Sequence, residues 1–216
     1  MSRPLRIIIG CEWSGEVRDA CRALGHEAFS CDVVGPDQLP DEFRAQRWPN
    51  YHLEGDVLDF IGGIGEPWDL GIFFPPCTYL CSSGLHWNRR RPERQRETDR
   101  ALRFVARLMD APIAKIAIEN PRGCIGTKIR PADQSIQPYH FGHDASKETM
   151  LWLKNLPKLT PTSYVPPRIV DGRPRWSNQT DSGQNRLTPS ETRARERGRT
   201  YAGIAQAMAE QWAGRR

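Results

Sequence analysis

The stretch WDLGIFFPPC, residues 68–77, decides the fold. Its first seven residues are almost wholly apolar, as a strand buried on both faces requires, and the two prolines that follow remove two backbone donors and fix φ. A central strand must therefore end at about Phe74, and Cys77 is carried out of the sheet edge on a loop that the prolines impose. A thiol raised at a strand end reads as a nucleophile, although the commonest fate of a cysteine is to be buried and inert. Ser82, Ser83 and Gly84, just beyond it, read as a hinge for that loop.

Four further segments share the strand character: LRIIIG at 5–10, HEAFSCDVV at 26–34 with its strand ending in Asp32, HLEGDVLDF at 52–60 running to near Asp56, and AKIAIEN at 114–120. Between them, GEVRDACRALG at 15–25 places Val17, Ala20, Cys21 and Leu24 on one helical face, and Gly25 stops it. Residues 94–109 form a second helical pattern, with Ala101, Leu102, Val105, Leu108 and Met109 inward. Strands alternating with helices predict an α/β fold with a mostly parallel sheet and helices on both faces. YAGIAQAMAEQW at 201–212 closes the chain as an amphipathic helix, with Ile204, Met208 and Trp212 four apart. Pro157 to Arg199, rich in Pro, Arg, Ser and Thr without periodicity, reads as an irregular surface excursion.

With 216 residues and 38% hydrophobic content, the chain suits one substantial core and one domain with a decorated edge. Its longest apolar runs fall far short of a bilayer span, and MSRPLR carries no apolar segment of signal-peptide length, so a cytoplasmic protein without membrane association is expected. The six cysteines show no paired CxxC spacing and no adjacent histidine cluster; reduced thiols and no metal site follow. The net charge of +5 is unevenly placed. Residues 89–107 hold eight arginines against three acids and residues 168–199 eight against four, which leaves the remainder of the chain acidic. A single such cluster is most often a solvated face, but two of them flanking a candidate site point to nucleic acid, since arginine matches phosphate in planar geometry.

In parallel sheets ligands bind beyond the carboxyl ends of the strands, so the candidate residues are read off there. GCEWSG at 10–15, between a strand and a helix, can bring backbone donors against a polar cofactor, though a glycine pair at such a turn is often only geometry. Asp32 stands where nucleoside-binding folds place an acid for ribose hydroxyls; a surface carboxylate explains it equally. Asp56 can accept from an adenine amino group or cap a helix. Glu119 and Asn120 of ENP, one strand later, would face Cys77 across one cleft, or merely cap a loop.

PPCTYLCSSG resembles the PPC catalytic motif of the DNA cytosine-5 methyltransferase family, and IENPRG resembles its ENV motif. GCEWSG, CDVV and EGDV are similar to the first three family motifs. FGHDASKETMLW is similar to the segment with two arginines spaced by one residue, with Lys147 at the first position and Thr149 at the second, and RTYAGIAQAMA resembles the closing motif. The likeness covers nearly all of the chain and is strongest to short phage and prophage members. It implies a Rossmann-like S-adenosylmethionine-dependent methyltransferase fold in three parts: a catalytic α/β domain at 1–156, a basic segment at 157–199 in place of a target recognition region, and a closing helix at 200–216.

The activity implied by the resemblance is methyl transfer to carbon 5 of cytosine in double-stranded DNA, with the base flipped out and RNA as an alternative substrate, by a monomer. Cys77 would add to carbon 6, Glu119 would donate at ring nitrogen 3, Asn120 would hold the loop that orients Glu119, and Lys147 would contact phosphate or the base. S-adenosyl-L-methionine would be held by Gly10, Cys11, Glu12, Ser14, Gly15, Asp32, Val33, Asp56, Val57 and Pro75. The chain departs from the family pattern in lacking FxGxG, in Pro121 where valine is usual, in Thr149, and in the short basic stretch, which predicts weak sequence specificity or dependence on a partner. The same fold acting on RNA, on a nucleotide or with a modified S-adenosyl donor, and a noncatalytic nucleic-acid-binding protein, are the competing readings.

Overall fold

A computed structural model describes residues 3–34, 51–62, 67–187 and 193–215. The chain runs through β1 (Arg6–Gly10), α1 (Glu16–Ala23), β2 (Glu27–Asp32), β3 (His52–Glu54), α2 (Val57–Ile61), β4 (Leu70–Phe73), α3 (Ser82–Leu85) and α4 (Pro92–Met109). It continues through β5 (Lys115–Asn120), α5 (Ile125–Lys128), β6 (Gln134–Ile136), β7 (Thr149–Lys154), β8 (Arg168–Val170), β9 (Arg173–Arg175), α6 (Arg193–Gly198) and α7 (Ala202–Met208).

Seven strands form one sheet in the order β3-β2-β1-β4-β5-β7-β6. The first five are parallel, and β7 pairs antiparallel with both β5 and β6. This is the mostly parallel Rossmann-like architecture expected from the sequence. The order reverses between β1 and β4, so the carboxyl ends of these two strands border a crevice.

Alternate residues of the central strands feed two cores, one on each face of the sheet. Ile7, Ile9, Leu70 and Ile72 meet Val17 and Cys21 of α1 and Ile204 and Met208 of α7. Ile8, Phe73, Ile116 and Ile118 meet Val57 of α2 and Val105 and Leu108 of α4. Helices thus cover both faces, which is why the strands read as continuous apolar runs. The closing helix is as expected, with Ile204, Met208 and Trp212 all buried, although a π-helical turn at Ala209–Ala213 replaces its last α turn.

Three segments differ from the sequence reading. HLEGDVLDF is strand only as far as Glu54: the Asp56 carboxylate accepts from the Leu58 amide at 2.9 Å and caps α2, which turns the chain into a helix. Ser82–Gly84 forms a helical turn instead of an open hinge, because the Arg94 guanidinium donates to the carbonyls of Thr78 (2.8 Å) and Gly84 (3.2 Å). The basic stretch contains an ordered hairpin, β8–β9, turned at Asp171-Gly172, both with positive φ. Three arginines of that stretch hold it together: Arg168 binds Asp181 at 2.6 Å and the Gln179 carbonyl at 3.0 Å, Arg175 the Asp181 carbonyl at 2.9 Å, and Arg186 the Gln179 carbonyl at 2.9 Å. Among the described residues no helix is long and apolar enough to cross a membrane.

Candidate active site

The carboxyl ends of β1, β2 and β4 and the face of α4 enclose a cavity of about 550 Å³. Of the cofactor candidates, Cys11, Asp32, Val33, Asp56 and Val57 line it. Gly10, Glu12, Ser14, Gly15 and Pro75 do not; of these, Gly10 packs directly against the lining residue Val57. A Cβ at Gly10 would lie 2.5 Å from Val57 Cγ2 and 2.7 Å from Phe73 Cδ1, so only glycine lets β1 approach α2. The chain then turns sharply through Cys11, at φ 58. Side chains rarely hold that conformation, and such outliers concentrate at ligand sites.

Glu12 is buried behind this turn, where its Oε1 accepts from the Val17 amide at the start of α1 at 2.8 Å. Its Oε2 is buried without a hydrogen-bond partner, and burial lifts the carboxyl to about 7 against the pull of the Val17 amide and Arg18. Ser14 is buried too, and Gly15, at φ 70, leaves no room for a Cβ beside the Arg18 guanidinium. Arg18 itself is 1% exposed, an ion in the core, and it donates to Ser30 Oγ at 2.8 Å and to Asp19 at 2.8 Å.

Sequence reasoning missed the α4 side of the cavity: Arg100, Ala101, Arg103, Phe104 and Arg107, with Tyr79 and Leu80 from the loop after Cys77. Positions 100, 103, 104 and 107 are neighbours at helical spacing, so the signal was present in the pattern that marked α4. Leu58, at the mouth, and the 70%-exposed Val33 add apolar surface.

Beside this cavity the PPC loop and the ENP strand end are joined. β4 and β5 are adjacent and parallel, with Phe73 opposite Ile118, so Pro75–Cys77 and Glu119–Asn120 emerge side by side. Asn120, 1% exposed, donates its amide to the Pro75 carbonyl at 2.6 Å. It therefore ties the end of β5 to the loop that carries Cys77. The Cys77 carbonyl accepts from the amides of Leu80 and Cys81, both at 3.0 Å, forming a tight turn behind the thiol. Partial burial pushes the Cys77 thiol up, Cys81 and Glu119 push the same way, and Lys147 opposes them.

Glu119 faces a second compartment, formed by Phe74, Pro138, Lys147, Thr149, Thr200 and Tyr201. Desolvation raises its carboxyl, against the Lys147 charge and a hydrogen bond from the Thr149 side chain. The compartment measures about 10 Å³, close to the smallest space that holds one water. Lys147 closes it: its Nζ donates to the Arg197 carbonyl at the end of α6 at 2.7 Å, and Arg199 binds Glu16 at 2.6 Å. Thus Lys147 and Thr149, two residues apart, both act on Glu119. The hairpin region braces them, since the Asn178 side chain pairs with both the amide and the carbonyl of Ser146, each at 2.9 Å.

The PPC loop is the partition, giving Phe74 to the small compartment and Pro76 to the large cavity. Cys81 forms a β-bridge with Gly123, with its thiol 3.2 Å from Ser83 Oγ. Among the described residues no group of three or more His, Cys, Asp or Glu side chains could hold a metal ion.

One solved structure similar to this chain is that of the Dnmt2 methyltransferase of S. pombe, at 16% identity and a TM-score of 0.45, covering 71% of this chain and 50% of that one. The chain thus spans half the length of that neighbour. No protein-family model matches the sequence, and no curated protein matches it.

Proposed function

We propose that this protein is an S-adenosylmethionine-dependent methyltransferase that methylates carbon 5 of cytosine in nucleic acid, DNA first among the candidates, through a covalent bond to Cys77. The observation that carries the reading is the joining of two strand ends: Cys77 and Glu119 leave adjacent parallel strands, and Asn120 ties one loop to the other.

The residues suit the cofactor. A cavity of about 550 Å³ falls within the range of about 300–1,000 Å³ for small-molecule sites. Asp32 offers acceptors for ribose hydroxyls, and apolar Val33, Leu58 and Phe104 offer faces for a purine. Asp56 retains an acceptor beside its cap. The unpartnered Oε2 of Glu12 is a buried acceptor that a primary ammonium would satisfy. When bound, S-adenosylmethionine supplies an electrophilic methyl group.

The chemistry follows from what carbon 5 lacks. It is a weak nucleophile in an aromatic ring, and addition of the Cys77 thiolate to carbon 6 makes it electron-rich. Protonation at ring nitrogen 3 by Glu119 assists that addition. Burial makes the Glu119 carboxyl hold a proton more readily than an exposed one, and Lys147 beside it favours the carboxylate left behind. After transfer, water takes the carbon 5 proton, the thiolate is expelled, and the proton on ring nitrogen 3 returns to the Glu119 carboxylate, which restores the ring. Because the Glu119 compartment holds about one water, the entering ring must displace Lys147 and the Thr200–Tyr201 segment.

Incubating the protein with radiolabelled S-adenosylmethionine and mixed DNA and RNA, followed by nucleoside digestion, tests the reading. Label in 5-methylcytidine or its deoxy form is the expected result, and which of the two appears assigns RNA or DNA. Label in any other nucleoside, or none, would overturn the proposal.

A further inference from the structure

Directly after the nucleophile loop and α3, the chain makes a 3₁₀ turn, His86–Arg89, that presents Trp87 to solvent at 39% exposure. Arg91 and Arg90 lie over its ring at 5.0 and 5.8 Å, and the His86 ring is 4.8 Å away. Arg89, Arg90 and Arg91 have no carboxylate partner among the described residues, so three positive charges and one indole face the same water.

The platform is rigid, and it is pinned to the nucleophile loop. The amides of Arg90 and Arg91 both donate to the Trp87 carbonyl at 3.0 Å. Asn88 donates to the hydroxyl of Thr98, which is buried in α4, at 2.9 Å, and Thr98 donates in turn to the Tyr79 carbonyl at 3.0 Å. Tyr79 is two residues from Cys77. A ligand on Trp87 is therefore held at a fixed offset from the thiol.

We propose that Trp87 with Arg89–Arg91 is a stacking platform for an unpaired base of a single-stranded nucleic-acid segment, beside the base that enters at Cys77. This rests on the reading of the site as a cytosine methyltransferase and names its substrate as unpaired strand. Aromatic faces bind bases whose own faces are free, and arginines beside them bind the intervening phosphates. In a duplex both faces of each base are already stacked, so the same indole gains nothing unless a step is opened at a cost of a few kcal/mol.

Anisotropy with a labelled pyrimidine-rich 10-mer DNA strand and the same sequence closed into a duplex hairpin, at one fixed salt concentration and without S-adenosylmethionine, tests this. Stacking of one base is worth about 1–3 kcal/mol, so Trp87→Ala should weaken single-strand binding roughly 5- to 150-fold. Trp87→Phe should restore most of it, and hairpin binding should change less than about twofold. Trp87 is exposed, and an unchanged melting temperature verifies the fold. Single-strand binding unaffected by Trp87→Ala, or wild-type preference for the hairpin, overturns the proposal. Because no methyl transfer is read, failure of the catalytic reading would leave this binding test standing.

Discussion

The side-chain amide of Asn120 lies 2.6 Å from the carbonyl oxygen of Pro75, so the end of β5 holds the loop that carries Cys77. A carbonyl buried at a strand end needs such a partner. Asn120→Ala should leave it unsatisfied, at a cost of about 1–3 kcal/mol. Thermal melting should register about 2–4 °C per kcal/mol for a chain of this size, with methyl transfer falling more steeply than stability. An Asn120→Asp variant, which keeps shape and removes the donor, should behave like the alanine.

The pH dependence of Cys77 separates its neighbours by sign. Glu119 raises the thiol and Lys147 lowers it. Alkylation of Cys77 by iodoacetamide, followed peptide by peptide, should therefore accelerate with pH beyond the range of a free thiol. Glu119→Gln should move the profile to lower pH, and Lys147→Gln should move it to higher pH. Shifts in the same direction for both variants would contradict the geometry.

Gly10→Ala should destabilise the protein by about 1–3 kcal/mol, the cost of overpacking a closed core, and should weaken S-adenosylmethionine binding with it. The added methyl meets Val57 and Phe73, and Val57 also lines the cavity. Calorimetric titration of the variant, compared with its melting temperature, checks both effects.

Two histidines and one acid set opposite trends of stability with pH. Burial lowers His52 to about 3 and also lowers His143, whose Nε2 accepts from the Gly203 amide at 2.8 Å and must be unprotonated to do so. Both are protonated more readily in the unfolded chain, so their contribution is complete above about pH 6.5 and declines as pH falls below it. Glu12, raised to about 7, acts the other way: its contribution is complete below its ordinary range near 4.5 and is lost as pH rises through 7. Melting temperatures from pH 4 to 8 should flatten on the acid side in His143→Gln, and should fall less between pH 5 and 8 in Glu12→Gln.

What was legible in the sequence was whatever two-sided burial writes into it. Ile7–Ile9, Leu70–Phe73 and Ile116–Ile118 are buried from both faces, and their apolar runs gave the sheet, its strand ends and the placement of Cys77 and Glu119. Asp56 was legible as either cap or ligand; it is a cap that also borders the cavity. The hairpin was announced by Asp171-Gly172 but hidden by the prolines and arginines around it, because its arginines act inward on carbonyls where composition suggested phosphate. Arg18 in the core and the Asn120–Pro75 bond depend on distant partners, and no local pattern encodes them.

The central claim is that Cys77 bonds covalently to a cytosine during methyl transfer. Substrate containing 5-fluorocytosine carries fluorine in place of the carbon 5 proton, and fluorine cannot leave as a cation, so the adduct should persist once a methyl group has been added. Incubation with such an oligonucleotide and S-adenosylmethionine, then digestion and mass spectrometry, should yield one modified peptide carrying the methylated fluorocytosine on Cys77, absent without S-adenosylmethionine and absent in Cys77→Ser. An adduct on Cys81, or methyl transfer that proceeds in Cys77→Ser, would contradict the account.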